Sequence, residues 1–384
     1  MQWPKTRLGD LYEVHNGLSK PREAFGSGWP FLSYSVVFNN FFLPKTLDSL
    51  VQSTDKEQTS YSIKAGDIFV TRTSETPDEL GMSCVALKDY PHATYNGFCK
   101  RLRPTTDKVH PGYIGYYLRT PEFRSRLAGL GASMITRASL RNEDLLSLTV
   151  SIPPLAIQQS IAERLARYDA LIENNTHRIA ILENKTEQLY KEWFVRRRFP
   201  GHDCATNGDI PTEWREERLG NLAEISTGKC NREDAEEDGI YPLFDRSQEI
   251  KRSNEWIKDC EAIIVPGEGT SFMPRYYKGK FNLHQRCYCV EPRMKNTGKF
   301  LFYVIMLNRR YFLSVATGAT VPSLRQKNFL SMKVLWPNME LVAEFDKYAT
   351  HIFKLKDNLQ RQNALLARER DLLLPRLMSG RMKP

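Results

Sequence analysis

The feature that most constrains this chain is its repetition. Residues 3–17 read W-x3-RLGDL-x-EV-x2-G, and 211 positions later residues 214–228 read W-x3-RLGNL-x-EI-x2-G. A second pair, SLRNEDLLSLTVSIP at 139–153 and SLRQKNFLSMKVLWP at 323–337, repeats at an offset of 184, preceded by Gly131-Ala132-Ser133 and Gly318-Ala319-Thr320. Ungapped matches of this kind at two places call for two copies of one architecture.

Each repeat runs into a long periodic segment. The first has an apolar seam at Ile157, Ile161, Leu165, Tyr168, Ile172, Ile179, Leu182, Leu189 and Trp193, interrupted by Asn175 and Thr186. The second runs Leu341, Phe345, Tyr348, Ile352, Leu355, Leu359, Leu366 and Leu373, interrupted by Gln362 and Glu369. Steps of three and four sustained over five heptads predict two coiled-coil helices, each seam facing one partner, with the polar positions fixing register. A helix of about 40 residues is about 60 Å long. The order is therefore globular half (1–153), helix (154–198), globular half (199–337), helix (338–384).

The globular halves read as α+β domains with mixed sheets. Strands are expected at GDIFVT (66–71), FCKRLRP (98–104), EAIIV (261–265) and CYCVEP (287–292). Helices are expected within HPGYIGYYLRTPEFRSRLAG, where Thr120 and Pro121 suit an N-cap and first turn, and near GKFLFYVIMLNRRYFLSVA.

Charge points to an anionic partner. The formal net charge is +10, with Lys and Arg spread along the chain rather than gathered on one amphipathic helix, which favours nucleic acid over a membrane surface. No apolar run approaches the roughly 18 residues of a membrane span, and the N-terminus lacks a secretory pattern, so a cytoplasmic protein is expected. Seven cysteines without a CxxC pair read as reduced thiols, with no metal site and no disulfide framework.

Catalytic signatures fail one by one. Gly228-Lys229 lacks the upstream glycine of a phosphate-binding loop, where Ala223 stands, and Gly267-Glu268-Gly269 lacks the third glycine of a dinucleotide loop. Ile152-Pro153-Pro154-Leu155 has neither the polar residue nor the aromatic of an adenine methyltransferase loop and reads as a helix entry. Pro77-Asp78-Glu79 has no nuclease partner downstream, and no HExxH occurs.

What the chain does supply is groove-reading chemistry: Arg for guanine edges, Gln for adenine, Lys and hydroxyls for phosphates. The candidate DNA-contacting residues in the first half are Lys20, Arg22, Ser33, Tyr34, Thr71, Arg72, Thr73, Ser74 and Arg137. In the second half they are Lys229, Arg246, Ser247, Gln248, Arg252, Thr270, Ser271, Arg275, Tyr276, Lys278, Gln285, Arg286, Ser323 and Arg325.

The paired RLGDL and RLGNL starts, the GDIFV strand, the SLRxxxLLSLxVxIPP run into QQSIAERLARYDALI and the C-terminal LLLPRLMSG together resemble the DNA specificity subunits of Type I restriction-modification systems. The resemblance spans essentially the whole chain. It implies two target recognition domains, each reading half of a split site in double-stranded DNA, separated by two long antiparallel helices with pseudo-two-fold symmetry. It also implies no chemistry and no cofactor in this chain. The expected partners are two modification subunits, which use S-adenosylmethionine, and through them ATP- and Mg-dependent restriction subunits. The second helix departs from the pattern by opening PNMELVAEF, without the Pro-Pro and Gln-Gln of the first. The alternatives are a stand-alone DNA methyltransferase or nuclease, which would turn over without partners, and a coiled-coil adaptor, whose DNA affinity would hardly depend on salt.

Overall fold

The computed structural model describes residues 3–74, 76, 79–131, 138–201, 210–318 and 320–384. The chain divides into two compact units, Met1–Asn175 with Arg361–Pro384, and Thr176–Gln360.

The first unit is built on an antiparallel sheet in the order Tyr12–Asn16, Cys99–Pro104, Ile68–Thr71, Ser83–Val85. Alternation along the third of these strands explains its unbroken apolar run. Ile68 and Val70 face a core shared with Tyr113, Ile114, Ile161, Leu165, Leu374 and Leu377, while Phe69 faces a second core with Leu32, Val37, Cys84 and Tyr95. A strand buried on both faces has no polar side to show. Three further strands, Leu50–Val51, Phe25–Leu32 and Thr94–Tyr95, form a smaller mixed sheet. Helices Pro111–Tyr117 and Pro121–Gly131 follow, the second capped by the Thr120 hydroxyl, which accepts from Phe123 N at 3.3 Å.

The second unit repeats this plan in a six-stranded mixed sheet, ordered Ala223–Thr227, Cys287–Pro292, Lys258–Pro266, Arg275–Leu283, Tyr241–Phe244, Lys251–Ser253. The single helix expected near residue 298 is two, Gly298–Leu307 and Arg309–Val315, broken at Asn308.

The repetition holds at the level of individual hydrogen bonds. Lys5–Arg7 pairs with Thr149–Ser151 as Arg215–Arg218 pairs with Lys333–Trp336. Leu8 N donates to Leu148 O and Leu219 N to Met332 O, both at 2.8 Å. Each RLG turn is followed by a glycine that no other residue can replace without moving backbone. A Cβ on Gly17 would lie 2.0 Å from Asn96 O, and one on Gly228 1.8 Å from Leu283 O.

The central helix, Leu155–Tyr190, starts after Pro153-Pro154 ends the preceding strand, and closes in a π-helical turn over Lys191–Val195 that turns Trp193 and Phe194 into the second core. At its start the buried Gln158 accepts from His110 N at 2.8 Å and donates to Pro153 O at 2.7 Å and Lys108 O at 2.9 Å. The C-terminal helix, Met339–Met378, has no such glutamine. There Asn338 supplies the cap, its side chain accepting from Leu341 N at 2.9 Å, and about two turns further Asp346 pairs with the buried Lys299 at 3.3 Å. The 187-residue offset between Gly131 and Gly318 aligns helix Gly298–Leu307 with Pro111–Tyr117 and Lys299 with Gly112, while the offset of 184 aligns Asp346 with Ala162, so the same junction is closed once by close approach and once by charge.

Within each unit the two helices run antiparallel. Asp169 meets Arg370 at 2.5 Å and Asn175 donates to Gln362 and Asn363 at 3.0 Å in the first; Glu183 meets Lys356 at 3.2 Å in the second. On the central helix Ile161 and Leu165 are buried, as are the polar Asn175 and Thr186, with Ile157, Tyr168, Ile172, Ile179, Leu182 and Leu189 partly so.

The expected seam of the C-terminal helix needs a correction. Leu341, Phe345 and Leu359 are buried and Ile352, Leu366 and Leu373 partly buried, but the column Tyr348, Leu355, Gln362, Glu369 is exposed. The column one residue on, Val342, Ala349, Lys356, Asn363, Arg370, Leu377, turns inward in its place. Three of its members are polar because they pair with the facing helix, and a phase drawn through apolar residues alone slides to the neighbouring column.

Candidate nucleic-acid interface

In the first unit the central strand Ile68–Thr71 runs out of the core at Arg72. Arg72 N donates to Phe98 O at 2.7 Å, and Leu140 N donates to Arg72 O at 2.9 Å, tying three loops together. Beside this junction Tyr34 donates to Thr73 O at 3.1 Å. Tyr34, Ser35, Phe38, Asn39, Thr73, Ser74, Glu79 and Phe98 line a cavity of about 510 Å³. Phe98 is 63 % exposed, and the Arg72 side chain is also exposed. Burial, and then the Arg72 charge, hold the neighbouring Lys100 ammonium below its ordinary range.

The second unit presents the same junction with different side chains. Gly267 N donates to Arg286 O and Leu324 N donates to Gly267 O, both at 2.8 Å, so Gly267 stands where Arg72 does. Glu268 pairs with Ser323 through the backbone, as Thr73 pairs with Ser139. The Glu268 carboxylate binds Arg246 at 2.6 Å through one oxygen and Arg286 through the other. Partial burial pushes this carboxyl up, but the two guanidiniums outweigh it and hold it below the usual range. Both arginine side chains remain at least half exposed.

Other expected contacts divide by environment. Arg22, Lys229, Gln248, Arg252, Thr270, Ser271, Lys278, Gln285 and Arg325 are exposed, with Arg252 donating to Ile240 O at 3.2 Å and Gln285 to Asn231. Lys20 is held by Glu57 at 2.6 Å. Ser33 caps the helix Tyr34–Asn39, Ser74 donates to Glu79, Ser247 donates to Asp245, and Ser323 is engaged through its backbone. Arg137 lies outside the described residues.

Three expectations are corrected. Arg275 is a scaffold cation: it donates to Ser247 O at 2.9 Å and Asp245 O at 2.5 Å and lies over the Phe244 ring. Tyr276 donates to Glu261 at 2.6 Å among Phe302 and Phe353. Thr71 is buried, its hydroxyl accepting from Met82 N at 2.9 Å. Glu268 and Phe98, in turn, were not singled out from sequence. Extending the repeat through the strand pairings, which set Ile68 against Leu102 and Ile263 against Val290, aligns Thr73 with Glu268 and would have found the first.

Among the described residues one group of potential metal-ligating side chains converges, Cys260, Cys289 and Glu291, with ligand atoms within 4.8 Å of one another. Its carboxylate is already taken by Lys258 at 3.1 Å. No helix among the described residues is long and apolar enough to cross a membrane.

The family model for the Type I restriction modification DNA specificity domain matches residues 1–184 and again 211–368. The chain belongs to that family. Two copies of the specificity domain account for the two repeats. The specificity subunit of the Type I restriction enzyme EcoDI from Escherichia coli is 31% identical over 179 residues, 46% of this chain but 40% of that protein. The MjaIX specificity subunit from Methanocaldococcus jannaschii is 23% identical over 414 aligned positions, covering 99% of this chain and 94% of the relative. The crystal structure of an S subunit from M. genitalium shares the fold of this specificity-domain chain, with a TM-score of 0.59 at 17% identity, over 98% of this chain and 96% of that one.

Proposed function

We propose that this chain is the non-catalytic DNA specificity subunit of a Type I restriction-modification complex, reading a bipartite duplex site with one half-site per unit. The observation that carries the reading is the shared backbone junction at Arg72 and Gly267, which carries different side chains in the two units. A chain that reads two different half-sites needs one scaffold twice and two sets of letters. Recognition domains extend over 1–153 and 199–337, with spacer helices over 154–198 and 338–384. The helices set the spacing, and their outward apolar side chains, among them Leu171, Ile181, Leu365 and Leu372, suit docking of two modification subunits, with restriction subunits joining through them. S-adenosylmethionine, ATP and Mg belong to those partners.

The test is selection of bound duplexes from a randomised pool by the chain assembled with its modification subunits. A split motif is expected, and exchanging residues 1 to about 150 for those of a related subunit should change one half only. Methyl transfer by the purified chain alone, or enrichment of no motif, would overturn the proposal.

A further inference from the structure

The two junctions permit a residue-level assignment that rests on the function proposed above. We propose that Arg246 and Arg286, held by Glu268, read guanine in one half-site, and that Phe98, beside Tyr34 and Thr73, takes the corresponding place in the other and reads a thymine methyl.

The positional equivalence comes from backbone hydrogen bonds. Asn96 N donates to Leu32 O at 3.0 Å as His284 N donates to Phe244 O at 2.9 Å, which aligns Tyr34 with Arg246. Arg72 N to Phe98 O matches Gly267 N to Arg286 O, which aligns Phe98 with Arg286. The strand register aligns Thr73 with Glu268. Three side chains from three separate loops thus converge at the same place in both units, and all three differ in chemistry.

The chemistry separates the two readings. A guanidinium has five N–H donors, and one carboxylate oxygen uses only part of them. Here a single carboxylate, 13% exposed, holds two guanidiniums, leaving each side chain at least half exposed with donors free to bind bidentate to guanine O6 and N7. As stabilising ion pairs, such half-exposed guanidiniums would contribute little. Fixing the arginines before binding instead lowers the ordering cost on contact. The first unit has no cation at these three positions: Phe98 projects into solvent at the mouth of the cavity, and an apolar ring recognises the methyl that distinguishes thymine in the major groove.

The experiment uses the full chain with its modification subunits and the randomised duplex pool, at two salt concentrations. Arg246→Ala and Arg286→Ala should each lose discrimination at a guanine of one half-site, by about 5- to 150-fold, while the other half-site keeps its letters. Arg286→Lys, which retains charge and folds wherever a surface cation is tolerated, should lose the same letter. Phe98→Ala should relax a thymine in the opposite half. Affinity falling equally for all sequences, with the salt slope smaller by about one per arginine, would make these residues phosphate clamps and overturn the assignment. Unchanged motifs in all four variants would reduce Glu268 and its arginines to a structural ion cluster. Absence of any motif with the unaltered chain would instead sink the proposed function itself.

Discussion

Asp346→Ala tests how the second unit is fastened to the C-terminal helix. Lys299 and Asp346 are each less than a tenth exposed and lie 3.3 Å apart, with Glu261 3.5 Å from the same ammonium. Breaking a buried ion pair by removing one partner costs about 3–5 kcal/mol, because the other charge stays buried. Here Lys299 keeps Glu261, but that carboxylate also accepts from Tyr276 at 2.6 Å, so it compensates only in part and the expected loss is about 2–4 kcal/mol. Removing all three charges in Lys299→Met, Asp346→Ala, Glu261→Gln should recover most of that loss, since an apolar junction already serves at the equivalent Gly112 and Ala162. Urea unfolding followed by tryptophan fluorescence suits the measurement, because Trp193, Trp214 and Trp336 all lie in the core of this unit. A loss below about 0.5 kcal/mol for Asp346→Ala, or a triple variant no better than the single one, would refute the view that this charge is held only by its partners.

Gly17→Ala and Gly228→Ala should destabilise their own units alike, each by about 3 kcal/mol or more, since both push a methyl into a carbonyl that cannot yield; a harmless substitution at either, by thermal melting, would break the equivalence of the repeats. Asp245 is pushed up by burial, but the Ser247 hydroxyl and Lys251 ammonium outweigh this and hold it at about 2. Because its folded value is depressed, its stabilisation is complete above about pH 4 and is lost as pH falls toward 2, and Asp245→Asn should flatten acid unfolding in that window. Arg72→Ala should lower the salt slope of DNA binding by about one with little change in melting temperature, whereas Arg275→Ala should lower the melting temperature; the reverse pattern would return Arg275 to the interface.

The duplicated plan was legible because repeats leave their marks at turns, where RLG and the following glycine are fixed by backbone contacts that tolerate little else. The strands Ile68–Thr71 and Cys287–Pro292 were legible as apolar runs. The seam of the C-terminal helix was legible in period but not in phase: Lys356, Asn363 and Arg370 are inward because of partners on another helix, and no single-helix pattern announces that. Arg275 and Tyr276 were misread for a related reason. A cation or phenol in a polar stretch looks like surface until its carbonyl or carboxylate partner, some 15 to 30 residues away, is seen. The Glu268 cluster was missed because a carboxylate argues against an anionic ligand when read alone, and its purpose appears only with the two arginines it holds.

The assignment of residues 361–384 to the first unit has a consequence for synthesis. Leu374, Leu377 and Met378 complete the core that contains Leu8, Ile68 and Tyr113. As the chain leaves the ribosome, that core waits open while the entire second unit emerges and closes on its own residues. Translation that stops anywhere before Leu374 therefore leaves an apolar face uncovered in the unit made first, the kind of transiently exposed surface that drives aggregation.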